Sequence, residues 1–169
     1  PTYDFTQGSP TTESSQGIDA ISQAFGYGVV YPSYVVVRFP SPILLADGNV
    51  SVYEMGALAN LSSRLLAMES GLRSTEGPTD PQGSPVDYLG IASMSASERQ
   101  LVDKEIRPYI GKDNQTVRMM LVFADPPFSL AALDAVDRIR GDIATIQASD
   151  PVLGSSQVYL GGVTPVLSD

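Results

Sequence analysis

Two apolar, β-branched runs constrain this chain more than any other feature. SYVVVRF (33–39) and TVRMMLVFA (116–124) both read as strands, and both are stopped by prolines: Pro40 and Pro42 in the first case, Pro126 and Pro127 in the second. Each is followed by one amphipathic helix and then by a second, shorter strand. After the first run, Ser51 and Glu54 form an S-x-x-E pattern that predicts a capping box. Met55, Leu58, Leu61, Leu65 and Met68 then recur at steps of three and four, one apolar stripe closed by Gly71, before LRST (72–75). After the second run, Ser129 predicts an N-cap, with Leu133, Val136, Ile139, Ile143 and Ile146 inward and Asp134 and Arg138 paired on the wet side. Pro151 and Gly154 end this helix, and SQVYLG (156–161) is the last strand.

The order β-α-β, β-α-β predicts an α+β fold of the ferredoxin-like split βαβ (βαββαβ) type. Its four-stranded sheet is antiparallel, with both helices on one face. Two additions flank this frame. ESSQGIDAISQAF (13–25) places Ile18, Ile21 and Phe25 at helical spacing, with Gly26 and Gly28 as the stop, which adds an N-terminal helix. Between the halves, residues 76–90 are dense in Gly and Pro, and Ser95 with Glu98 forms a second capping box opening a helix to about Arg107. The expected organisation is an N-terminal segment over residues 1–32 and one domain over 33–169, with a loop-helix excursion at about 76–115. Both faces of the two long strands are largely apolar, so one face points away from the helices. The expectation is partial cover by the excursion, with a remaining apolar patch that docks a partner domain.

The chain has no Cys and no His, which excludes disulfides, thiolate nucleophiles, Cys/His zinc sites and histidine triads within it. Its net charge of −9 argues against nucleic acid, whose binding needs a basic face. No apolar run reaches the roughly 18 residues of a membrane span.

The remaining constellations read as structural. Glu76, Asp80 and Asp87 fall in the proline-rich loop, where acidic residues are normally solvated. Asp47, Asn49, Ser51 and Glu54 loosely follow a calcium loop, but Val52 stands where glycine is required. Gly26-Tyr27-Gly28 follows a helix and precedes a strand, the reverse of a phosphate-binding loop. Met55, Met68, Met94, Met119 and Met120 read as core filling rather than a soft groove. No catalytic, cofactor or metal residue emerges. All three asparagines, Asn49, Asn60 and Asn114, lie in N-x-S/T sequons, which makes them candidate glycan acceptors on an outward-facing surface. Asn114 is expected to be exposed, whereas Asn60 lies inside a helix.

FGYGVVYPSYVVV (25–37) resembles the FGxGxxxPxxVVV opening of the large outward-facing loops in MMPL-type transporters of the RND superfamily, in the form of the second such loop. ESGLRSTEGPTDPQG (69–83) resembles the passage after that family's first porter helix, DPPFSLAALDAVDRIR (125–140) its second porter helix, and GGVTPVLSD (161–169) the segment that feeds the next membrane helix. The four matches keep the family's order. The departures are Pro165 where Ala is usual, and Leu72 and Ser74 where a Val pair is usual. The resemblance implies an extracellular or periplasmic porter domain of a cell-membrane transporter, forming part of a substrate cleft for export of lipids or other hydrophobic compounds. It implies as partners the other large loop, the membrane helices and a homo-oligomeric assembly, and it implies no enzyme activity. Pro1 would then follow one membrane helix, Asp169 would precede another, and Gly161 and Gly162 would form a hinge at the membrane junction. The alternatives are a stand-alone ferredoxin-like small-molecule binding or sensor module, and a carboxylate-based hydrolase.

Overall fold

The computed structural model describes residues 12–25, 31–126, 129–162, 164 and 165. The elements run α1 (Glu13–Phe25), β1 (Ser33–Arg38), α2 (Val52–Met68), β2 (Leu72–Glu76), α3 (Ala96–Ile106), β3 (Thr116–Phe123), α4 (Leu130–Ser149) and β4 (Gln157–Gly162). The sheet order is β2-β3-β1-β4, antiparallel throughout. This is an α+β, ferredoxin-like split βαβ arrangement with extra helices. The central strands are the two long apolar runs, as their β-branched content requires.

Register divides the sheet into two faces. Val35 lies opposite Met119 and Leu160, and Val37 opposite Val117 and Val158. These residues, with Leu121 and Phe123, face α2 and α4 and form one continuous core. Leu58, Leu61 and Leu65 of α2 are at most 1% exposed there. Each such side chain contributes about 1.5–3 kcal/mol relative to solvent exposure, so α2 is held by packing rather than by propensity. The other face carries Tyr34, Val36, Met120 and Tyr159 and points away from α2 and α4. β1 is therefore buried on one face and half-buried on the other.

Several local expectations shift. Ser51 is the N-cap of α2, but its hydroxyl donates to the Glu54 carboxylate and caps no backbone N–H. Helix α2 ends at Met68, so its stripe stops at Leu65 and Met68 is 46% exposed. In α4 the inward phase is rotated toward Ala132 and Ala135, leaving Leu133 half-buried; the Ala135 methyl packs close to Gly71, in the turn after α2. Arg138 does not pair with Asp134 as its salt-bridge partner. It reaches Glu69 instead, at 2.7 Å. A buried carboxylate offers bidentate geometry that an exposed neighbour one turn away does not. The Ser95–Glu98 capping box forms in both halves.

The excursion packs mainly against the helical side of the core and meets the open face only at its edge, where the Pro108 carbonyl accepts from Arg118 Nε. Ile91, Ile106 and Ile110 join the core cluster, and Arg99 reaches Asn49. Ile110 also bridges Val117, extending the sheet edge where β2 stops. Helix α1 exposes Ile18 and Ile21 by about 40%, so among the described residues its apolar stripe covers nothing in the core. No described helix is long and apolar enough to cross a membrane.

Candidate functional site

The open sheet face is the best-defined unassigned surface. Strand alternation places Tyr34, Val36 and Arg38 of β1 on it beside Arg118, Met120 and Val122 of β3 and Gln157 and Tyr159 of β4. Tyr34, Val36 and Met120 are half-buried, and Tyr159 is 56% exposed. Val122 is buried but stands outside the main core cluster, as its position on this face requires. The Arg118 guanidinium lies 5.7 Å from the Tyr34 ring centroid, within cation–π range, and its Nε donates to the Pro108 carbonyl at 3.2 Å. Arg38 and Arg118 are both exposed, and Glu76 on β2 is the carboxylate that shares the face. The surface is thus aromatic and aliphatic at its centre, with cations at one end.

Chain geometry adds a second property. β1 begins and β4 ends at the paired positions Ser33 and Gly162. The chain therefore comes into the sheet and leaves it at one point, on neighbouring strands. Gly162 holds φ at +123°, and a Cβ there would lie 2.4 Å from the Pro32 carbonyl oxygen. Glycine is required at that crossing. Gly161 has open space around its Cα and carries no such constraint.

The sequon asparagines are spread apart, and each has a local task. Asn49 donates Nδ2 to Asp47 at 2.9 Å and receives Arg99, closing the turn before α2. That turn holds the Asp47 carboxyl below its ordinary value, chiefly through the Asn49 backbone N–H. Asn60 donates to Asp150 at 2.9 Å and ties α2 to the helical turn Pro151–Gly154. Burial would raise Asp150, but that bond and the N–H groups of Leu153 and Val152 outweigh it, so its carboxyl is lowered. Asn114 is half-buried, holds φ at +57° and accepts from Arg107 at 2.7 Å. Asparagine tolerates this left-handed position better than most residues. Next to it, Asp113 is held at about 2 by the Thr116 hydroxyl, then by the N–H groups of Thr116 and Gln115.

The loop carboxylates are not brought together. Asp80 accepts from Thr75 at 2.7 Å and Ser62 at 3.2 Å, and Thr75 and Ser62 lie 2.6 Å apart. This network pins the proline-rich turn onto α2 and β2. Asp87 accepts the Gly90 N–H instead. Among the described residues no group of three acidic side chains could hold a metal ion. Of the methionines, Met55 and Met119 fill the core, Met94 packs against it, and Met120 lies on the open face. The Gly26-Tyr27-Gly28 stretch lies outside the described residues.

The Glu69–Arg138 pair was not legible in sequence. Glu69 is 2% exposed at the C-terminus of α2 and accepts from Arg138 at 2.7 and 3.1 Å and from the Gly71 N–H at 2.8 Å. The Arg138 bonds, ahead of opposing burial, hold its carboxyl below the usual range. No family model matches the chain, and no curated protein matches it in sequence.

Proposed function

We propose that this chain is an outward-facing porter domain of a membrane transporter similar to the MMPL-type members of the RND superfamily. It would stand on the extracellular or periplasmic side of the cell membrane and form part of a conduit for exporting lipids or other hydrophobic compounds. The observation that carries the reading is the pairing of Ser33 with Gly162. A domain inserted between two membrane spans must receive and return the chain at one place, and this pairing does so beside a sheet face left partly apolar. That face, with Tyr34, Val36, Met120 and Tyr159, is what the transporter's other large loop would cover. Burial of such a surface against a second domain is ordinary for domains within one chain. The absence of His agrees with proton coupling placed elsewhere, since no side chain here titrates near neutrality without perturbation.

Topology is the direct test. The segment contains no Cys, so a Lys112→Cys variant in the full reading frame gives one exposed label within it. A membrane-impermeant maleimide should label that site on intact cells, above the level of the unsubstituted protein. Labelling only after permeabilisation would refute the placement.

A further inference from the structure

The excursion carries a groove that none of the roles above uses. It has a volume of about 740 Å³ and runs along the outer side of α3 into the following turn, lined by Gln100, Leu101, Asp103, Lys104, Arg107 and Pro108. All six lining residues are exposed, so it is an open surface groove rather than an enclosed cavity. A smaller hollow of about 210 Å³ adjoins it at Pro108 and ends at Arg118. Leu101 is 64% exposed, whereas the helix's other large aliphatic side chains, Val102 and Ile106, pack into or against the core. The stems of Lys104 and Arg107 extend the apolar wall while their charged ends stay wet.

The charge here runs against that of the chain. Residues 99–118 hold five of the ten cations, Arg99, Lys104, Arg107, Lys112 and Arg118, against three carboxylates, Asp103, Glu105 and Asp113, a local excess of two positive charges in a protein of net charge −9. None of Lys104, Arg107 and Arg118 is in a salt bridge among the described residues. Arg107 is oriented by Asn114, and Arg118 by the Pro108 carbonyl and the Tyr34 ring, so neither is held by a carboxylate. Asp103 is the one carboxylate on the groove wall. Apolar side chains beside two cations and a single carboxylate complement a ligand with an apolar body and an anionic head.

We propose that this groove binds a single acid-headed amphiphile. Its alkyl chain lies on Leu101 and Pro108, and its carboxylate or phosphate lies against Lys104 and Arg107. The inference deepens the porter reading, on which it rests, by naming the class of cargo.

The test is a titration of the isotope-labelled 169-residue chain with monomeric dodecyl phosphate, followed by amide chemical shifts. Saturable shifts are expected at residues 100–108. Lys104→Ala should weaken binding about threefold, and Lys104→Ala with Arg107→Ala about tenfold, as expected for exposed charge pairs. Leu101→Ser should weaken it as well. Inorganic phosphate and dodecyl maltoside at the same concentrations should leave these amides unmoved. An equal response to either control, shifts centred elsewhere, or no saturable response would overturn the proposal. All three positions are exposed, so an unchanged spectrum away from the groove shows that the variants are folded. The result is separable from topology: failure to bind leaves the maleimide result standing, and failed surface labelling leaves measured binding standing.

Discussion

Glu69→Ala tests the link between the two βαβ halves. Glu69 ends α2, Arg138 lies in the middle of α4, and their bond is the only salt bridge joining those helices among the described residues. The carboxylate is 2% exposed and accepts three hydrogen bonds, two from Arg138 and one from the Gly71 N–H. A hydrogen bond to a charged group contributes about 1.5–3 kcal/mol when buried. The Arg138 side chain is 55% exposed, so it regains water when its partner is removed, and its share is discounted accordingly. What remains is one partly screened bidentate contact and one backbone donor, about 2 kcal/mol in all. For a domain of this size that lowers Tm by about 4–8 °C.

The pH dependence carries a definite sign. The folded-state pKa of Glu69 is depressed, with the Arg138 hydrogen bonds as the largest cause. Its contribution is therefore complete above the unfolded glutamate value, about 4.3, and is lost as pH falls through the folded value. Urea unfolding followed by far-ultraviolet circular dichroism should show the Glu69→Ala penalty in full at pH 7 and reduced at about pH 3.5. Glu69→Gln keeps an acceptor for Gly71 and should fall between the variant and the parent. Arg138→Ala removes the largest cause of the depressed Glu69 pKa and leaves opposing burial, so its penalty, like that of Glu69→Ala, should shrink on acidification. A Glu69→Ala penalty below about 0.5 kcal/mol, the ordinary range of surface substitutions, would refute the reasoning, as would one that grows on acidification.

Three further outcomes follow from local geometry. Gly162→Ala should cost about 3 kcal/mol in urea unfolding, from a positive φ and a Cβ placed 2.4 Å from the Pro32 oxygen, while Gly161→Ala should stay within about 0.5 kcal/mol. Ser95→Ala should destabilise α3 by about 1 kcal/mol, seen as faster amide exchange over Ala96–Ile106 with the sheet amides unchanged. Asp80→Ala leaves the buried Thr75 and Ser62 hydroxyls with only each other, and should cost about 2 kcal/mol by the same unfolding assay.

Legibility in the sequence followed the range of the interaction. Ser95 and Glu98 are three residues apart, so their capping box could be read from a short window, and it formed. The two central strands could be read because each is one short apolar run ended by prolines, SYVVVRF and TVRMMLVFA. Glu69 and Arg138 are 69 positions apart, and no local pattern connects them. The nearer Asp134 offered a plausible i,i+4 partner, and tertiary geometry overrode it. The phase of α4 failed for a related reason. Hydropathy favours Leu133 as the inward residue, but the buried positions are Ala132 and Ala135, a phase set by tertiary packing that no local window shows.

The asparagines make the same point about function. As text, Asn49, Asn60 and Asn114 share one motif and suggest one role. In space they do three different jobs: closing a turn, tying a helix to a distant turn, and occupying a left-handed backbone position. Those tasks suffice to place asparagine at all three sites, so the sequons add little weight to an outward-facing surface. The weight moves to features that structural necessity does not explain. Leu101 is exposed without packing on anything that needs it, and Lys104 beside it has no carboxylate partner among the described residues. Tyr34, Val36, Met120 and Tyr159 likewise leave apolar surface in water on the face opposite the helices. Both surfaces leave apolar area uncovered, which costs solvation free energy. That imbalance is the physical argument for reading both as places where something else binds.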